Sequence, residues 1–254
     1  MATTGLVKLN PTWNRWADWL GREPKPGSIY KDVVDMMAAR QIWEGFNAIV
    51  GRAPEEARKY GTFHSWFHAS YIRSQGLAIR RQVEVRSDVV SLGRLLDRIA
   101  RAPGILSRNR YLAELHPDDH RMGNEFFDAL TSPGARAIDP QVPRRELKRL
   151  QDETRRIKVW VDKEVAHYDP KTGTFSQGLR FGDIHEAIDL IFSTMNRYMQ
   201  LIHGTTIAPS VTMPPWPAVF RVAWLPDDSA WREVMQAIAE TENRRFGDRG
   251  MGLT

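Results

Sequence analysis

The ten residues Trp160-Val161-Asp162-Lys163-Glu164-Val165-Ala166-His167-Tyr168-Asp169 hold the densest set of groups in the chain able to move protons or hold phosphate. Histidine titrates close to neutral pH, so His167 can both accept and release a proton. Lys163 lies one helical turn before it, and a cation beside a proton-transfer group suits work on a phosphate. On a regular helix, at about 100° per residue, Arg156, Lys163 and His167 fall within about 40° of one another, with Trp160 between them. Asp162 lies about 140° away from His167 by the same count and would not touch it. Asp169, with Tyr168 beside it, could orient the imidazole where the chain turns before Pro170. The plainer reading of the same residues is a solvated charged face, with a histidine favoured by the helix dipole at its C-terminal end.

A second cationic pair, Arg80-Arg81, ends an otherwise apolar helical pattern, Leu77-Ala78-Ile79-Arg80-Arg81-Gln82. Neighbours on a helix face different directions, so one arginine must point inward or sideways. There it needs a carboxylate, such as Asp97 or Asp162, or a substrate phosphate. His64 and His68 have the i, i+4 spacing that zinc sites use, but no glutamate or third ligand accompanies them, so no metal is expected. His116, Asp118, Asp119 and His120 cluster beside Pro117, where a helix start explains the acids. Lys171-Thr172-Gly173 lacks the upstream glycine of a phosphate loop. There is no nucleophile elbow and no dinucleotide fingerprint, so no cofactor is expected.

These side chains must be held by helices. The 254 residues are 42% hydrophobic, with nine Trp and ten Phe, enough for a sizeable core. The absence of Cys excludes a disulfide framework, a thiolate metal site and a cysteine nucleophile. Thirty-six Lys and Arg against 31 Asp and Glu leave +5, compatible with a nucleic-acid partner but common in other proteins. The start, Met1-Ala2-Thr3-Thr4-Gly5, lacks the apolar core of a signal peptide, and no run approaches membrane-spanning length. The expectation is a cytoplasmic chain with no membrane partner.

Periods of three to four dominate and strand-like alternation is nearly absent, so the expected fold class is all-α. The architecture would be a bundle of about five to seven helices with an irregular N-terminal arm and a proline-rich C-terminal segment. Residues 1–27 form the arm, with Trp13, Trp16 and Trp19 on one face to dock on the core. Residues 28–204 form the bundle. Its helices are expected over 28–51 (opened by Ser28), 62–85 (capped by Thr62), 91 to just before Pro103, 118–131, Pro143 to Tyr168, and 183–203. The long one keeps Leu147, Leu150, Ile157, Val161 and Val165 on one stripe, with Thr154 in the missing slot. Residues 205–254 hold five prolines within 205–227, a short strand over Val219–Trp224, and a last helix capped by Asp227 or Asp228.

Two blocks also carry a family resemblance. His68-Ala69-Ser70-Tyr71, Leu77-Ala78-Ile79-Arg80-Arg81-Gln82 and then Val90-Ser91-Leu92, Leu95-Leu96 and Ile99 form the first, and Asp162–Asp169 the second. In this order and separation they resemble the abortive-infection branch of the bacterial HEPN superfamily, over roughly residues 60–205. The resemblance implies an α-helical bundle, a homodimer, and an RNA-cleaving or RNA-binding cleft, in some cases with an antitoxin partner. Its motif is an arginine, four to six residues, then a histidine, with a polar residue after the arginine. His167 matches the histidine and Asp162 the polar residue, whereas positions 160–162, where the arginine would stand, are Trp, Val and Asp.

The function implied is a defence- or toxin-type protein acting on RNA or a nucleotide, as a metal-independent endoribonuclease. His167, Lys163 and Asp162 would be catalytic, and Arg80, Arg81, Arg156, Tyr168 and Asp169 would bind substrate. The alternative is a non-catalytic RNA- or protein-binding module, whether degenerate toxin, antitoxin or scaffold.

Overall fold

The computed structural model describes residues 10–53, 55, 61–165, 179–208, 216–221, 229–230, 232–237 and 240, with backbone alone at 164 and 165. His167, Tyr168 and Asp169 lie outside these residues. The chain divides into two units, Met1–Thr212 and Met213–Thr254. Among the described residues there is no strand, only an isolated bridge between Ser107 and Ala137. The fold is all-α, as the periodicity requires.

In the first unit, helix α1 (Pro11–Leu20) forms inside the stretch expected as an arm. The Asn10 side chain accepts from the Thr12 and Trp13 N–H groups, and the helix stops at Gly21, whose φ of 81° favours glycine. Trp13 and Trp16 are buried, and Trp19 is half-buried beneath the Arg94 guanidinium, 4.3 Å from the ring centroid. The three tryptophans therefore do dock on the core. Helix α2 (Ile29–Arg52) is capped by Ser28, as its sequence predicts. Helix α3 (Gly61–Gln82) contains Thr62 rather than beginning after it. Helix α4 (Leu92–Arg101) is capped by Ser91 and ends before Pro103.

A five-residue helix, α5 (Arg108–Leu112), falls in a stretch whose sequence predicts no helix. A 3-10 turn at Pro117–Asp119 then leads into α6 (His120–Leu130). The predicted helix from Pro143 to Tyr168 is not continuous. Helix α7 (Gln141–Glu153) carries Pro143 in its first turn, where a missing N–H does no harm. It ends at Thr154, whose hydroxyl donates to the Leu150 carbonyl at 2.7 Å and competes with the backbone ladder. Helix α8 (Arg155–Trp160) follows, and Val161–Val165 widens into a π turn. The angular count that aligned Arg156 with Lys163 assumes 3.6 residues per turn throughout, so the widened turn invalidates it.

Helix α9 (Phe181–His203) is the central element, packed against α1, α2, α3 and α7. Its Ile184, Ile188, Ile191, Met195, Tyr198 and Ile202 are fully buried. Leu92, Leu95, Leu96 and Ile99 do the same for α4, which packs on α7. Each such side chain contributes about 1.5–3 kcal/mol by leaving water. No helix among the described residues is long and apolar enough to cross a membrane.

In the second unit, Trp216–Arg221 is a 3-10 helix, with Trp216 edge-on to Phe220 at 6.1 Å. The described part of the expected strand is thus helical. Pro217 stands in the first turn of this helix, where a missing N–H does no harm and its fixed φ suits a tight turn. Residues 229–230, 232–237 and 240 are helical, while Asp227 and Asp228 lie outside the described residues.

Candidate functional site

The site residues read from the sequence separate into three places. Arg80, on the last turn of α3, donates from Nε to Asp162 Oδ1 at 2.5 Å, joining α3 to the π turn. The two elements can approach because Gly76 has no side chain: a Cβ there would come within 2.9 Å of Trp160 and Val161. Arg80 and Asp162 remain 37% and 39% exposed, so solvent screens the pair and it adds little stability. Lys163 follows directly in the same turn and is half-buried. Arg80, Asp162 and Lys163 therefore form one corner, at the entrance to the segment that carries His167.

Arg81 points elsewhere. Its guanidinium reaches Asp32 on α2 at 2.8 Å, and Gln82 donates to the same carboxylate oxygen, also at 2.8 Å. Gln82 is fully buried, and its amide oxygen accepts from the Leu92 N–H at 3.0 Å. Ser91 donates to the Glu84 carbonyl and caps α4 through Arg94 N–H. A Cβ on Gly93 would sit 2.8 Å from the Val83 carbonyl oxygen. The block Arg81-Gln82 … Ser91-Leu92 is thus a clasp that turns α3 into α4 and ties both to α2. Asp97 pairs with Arg101, not with Arg80 or Arg81. Arg156 reaches Asp183 at 3.6 Å, the residue that also accepts the Arg180 N–H at the start of α9.

A net positive stretch on α7 and α8 was present in the sequence only as a charged remainder. Residues 144–158 hold seven cations against three acids, a balance of +4 within a chain of +5. Arg144, Arg145, Arg149, Arg155 and Lys158 are exposed and have no carboxylate partner among the described residues. Lys148 pairs with Asp152 at 2.6 Å. A groove of about 690 Å³ runs between α7–α8 and α9. Arg149, Arg155 and Arg156 line it together with Asp152, Glu153, Asp183 and Glu186, so the acids outnumber the cations there by one. Arg144, Arg145 and Lys158 lie outside the groove lining, so the excess positive charge is carried on α7 and α8 beyond the groove.

A third cluster has no local signal in the chain. Trp43, Tyr71, Phe181 and His185 pack between α2, α3 and α9, with Trp43 stacked on Tyr71 at 5.2 Å and His185 edge-on to Trp43 at 5.2 Å. His68 joins them, its Nε2 2.9 Å from Asn47 Oδ1. Burial pushes both imidazoles below the ordinary value of 6.5. Burial also raises the Tyr71 hydroxyl, opposed by Arg40. Trp43 Nε1, the Tyr71 hydroxyl and His185 Nε2 are buried without a hydrogen-bond partner among the described residues. His185 lies far from His68 in sequence, so only folding brings the rings together.

Chemically, the described residues offer exposed cations on α7 and α8 for a polyanion and a small corner at Arg80, Asp162 and Lys163. Set against protein-family models, curated proteins and solved structures, the chain matches none.

Proposed function

We propose that this is a HEPN-like, RNA-acting helical bundle of defence or toxin type, which holds RNA on the α7–α8 ridge and presents it to the His167 segment. The observation that carries the reading is the set of five exposed cations between Arg144 and Lys158 that have no carboxylate partner among the described residues, in a stretch that leads along the chain into Lys163. Four of the five are arginines, whose planar guanidinium suits bidentate contact with phosphate. In the catalytic form of the proposal a ribose 2′-oxygen attacks the adjacent phosphorus and the bond to the 5′-oxygen breaks. His167 takes the 2′ proton, and a proton is returned to the leaving 5′-oxygen. Lys163 and Arg80 oppose the charge gathering on the phosphorane oxygens. Arg80 bonds Asp162 through Nε and stays partly exposed, which leaves guanidinium donors within reach of a phosphate. A homodimer and an antitoxin partner belong to the same proposal.

A second reading, a non-catalytic RNA- or protein-binding module, is favoured by the Arg80–Asp162 pair. That contact already satisfies the carboxylate and compensates the nearest arginine. One experiment separates the two. A mixed RNA pool is incubated in EDTA with wild type, His167→Ala and Lys163→Ala, while retention on RNA is measured against salt. Cleavage leaving 2′,3′-cyclic phosphate ends, abolished in a folded His167→Ala, is the outcome of the catalytic form. Salt-dependent retention without cleavage selects the binding module. Neither cleavage nor retention at low salt removes the RNA reading altogether.

A further inference from the structure

We infer that the outward face of α3 is the surface on which two copies of this chain pair, antiparallel, about a two-fold axis. Phe63, Trp66, Ser70, Arg73, Leu77 and Arg80 follow one another at spacings of three and four, a stripe about 26 Å long on one side of the helix. The opposite side, with Tyr71, Gln75, Ile79 and Gln82, faces the core. Trp66 is 62% exposed, Phe63 52% and Leu77 46%. The Phe63 and Trp66 rings stack on each other at 6.1 Å, 30° from parallel. Three exposed apolar side chains on one helix face, with half-buried Ser70 and exposed Arg73 between them, offer an interaction surface.

What names the occupant is that the stripe is complementary to itself in reverse. With the helices antiparallel and the axis between Tyr71 and Ile72, Phe63 meets Arg80 of the partner subunit. Trp66 then meets Leu77 of the partner subunit, and Ser70 meets Arg73 of the partner subunit. These are a cation over a ring face, an apolar pair, and a guanidinium donating to a hydroxyl. Each pairing occurs twice, as an isologous interface requires. Parallel packing would set Arg73 against Arg73 and Arg80 against Arg80, and like charges reject it. The antiparallel pair also brings Phe63 of the partner subunit to Arg80, the residue that grips Asp162, so the second copy completes the corner beside Lys163. This deepens the homodimer part of the proposed function and needs no RNA, so RNA binding can fail while the pair stands.

The test is the mass of the full chain in solution across a wide range of concentration, with melting curves to check folding. Wild type is expected as a dimer, and Trp66→Glu and Leu77→Lys each as a folded monomer of half that mass. The double variant Trp66→Glu/Leu77→Lys is expected to return to the dimer, because each new carboxylate then faces a new ammonium across the axis. A monomeric wild type, or a dimer that survives Trp66→Glu, overturns the proposal. A double variant that stays monomeric overturns the antiparallel register. Tryptophan emission quenched by single-stranded oligonucleotide in a monomeric wild type, and not in Trp66→Glu, would make the stripe a base-stacking platform instead.

Discussion

The α3–α4 clasp and the α7–α8 ridge are both rich in arginine, yet they use it in opposite ways. In the clasp, Arg81 and the buried Gln82 converge on Asp32, Gln82 also holds the Leu92 N–H, and Arg80 reaches Asp162. Each polar group there has a partner from another element or from the next helix. Along α7 and α8, five exposed cations from Arg144 to Lys158 have no carboxylate partner among the described residues, Arg149 and Arg155 of them at the groove against α9. A cation that already has a partner serves the fold. A row of cations without partners keeps a positive potential that only another molecule can satisfy. By that criterion, part of the block whose sequence resembles a ribonuclease signature is structural, and the stronger candidate surface is one whose sequence pattern was merely charged.

The comparison can be broken most sharply at Gly93. Gly93→Ala places a methyl 2.8 Å from the Val83 carbonyl oxygen and 3.1 Å from that of Glu84, both backbone atoms that cannot step aside. A loss of about 3 kcal/mol is expected, read as a lower melting temperature. Next, Gln82→Leu leaves the Leu92 N–H without its acceptor and Asp32 with one donor fewer. It should cost about 2 kcal/mol in a denaturant titration, with the slope unchanged. A clasp that tolerates both changes would not be structural.

On the ridge the expectation is reversed. Arg144→Glu combined with Arg149→Glu should leave the melting temperature within about 1 °C of wild type, since neither residue has a carboxylate partner among the described residues. RNA retention should weaken about tenfold at fixed salt, and the salt slope should become shallower. Unchanged retention would move the RNA contact away from this face.

The smallest effect concerns pH and belongs to neither region. Burial holds His68, His185 and His203 below their ordinary 6.5 in the folded state. Between that depressed value and 6.5 the unfolded chain binds more protons than the folded one. The associated stability is therefore complete above about pH 6.5 and declines as pH falls through the folded-state values. Melting temperatures from neutral to mildly acidic pH should fall accordingly, and less steeply in His185→Phe. The ridge double variant should follow the wild-type curve.

Much of the helical layout was legible in the chain. Ser28 and Ser91 are N-caps where their hydroxyls precede an apolar period, and Pro103 follows the end of α4. The tryptophan spacing of the first 27 residues correctly anticipated a buried face. The long helix could not be read as broken, because Thr154 sits in register with the apolar stripe. Only the buried environment turns its hydroxyl back onto Leu150. For the site, Asp162 was a natural partner for an α3 arginine, but adjacency on a helix could not say whether Arg80 or Arg81 would take it. That choice depends on the close approach at Gly76.

Sequence by itself determined that this chain would be an all-α bundle, because burial periods of three to four and well-placed caps are local and need no partner. It also determined where the cations are, since charge is composition. Tertiary structure alone decided which cations are spent on carboxylates and which face water, and that His68 and His185 share one aromatic cluster. Those outcomes depend on distances between elements remote in the chain, and no local period encodes them.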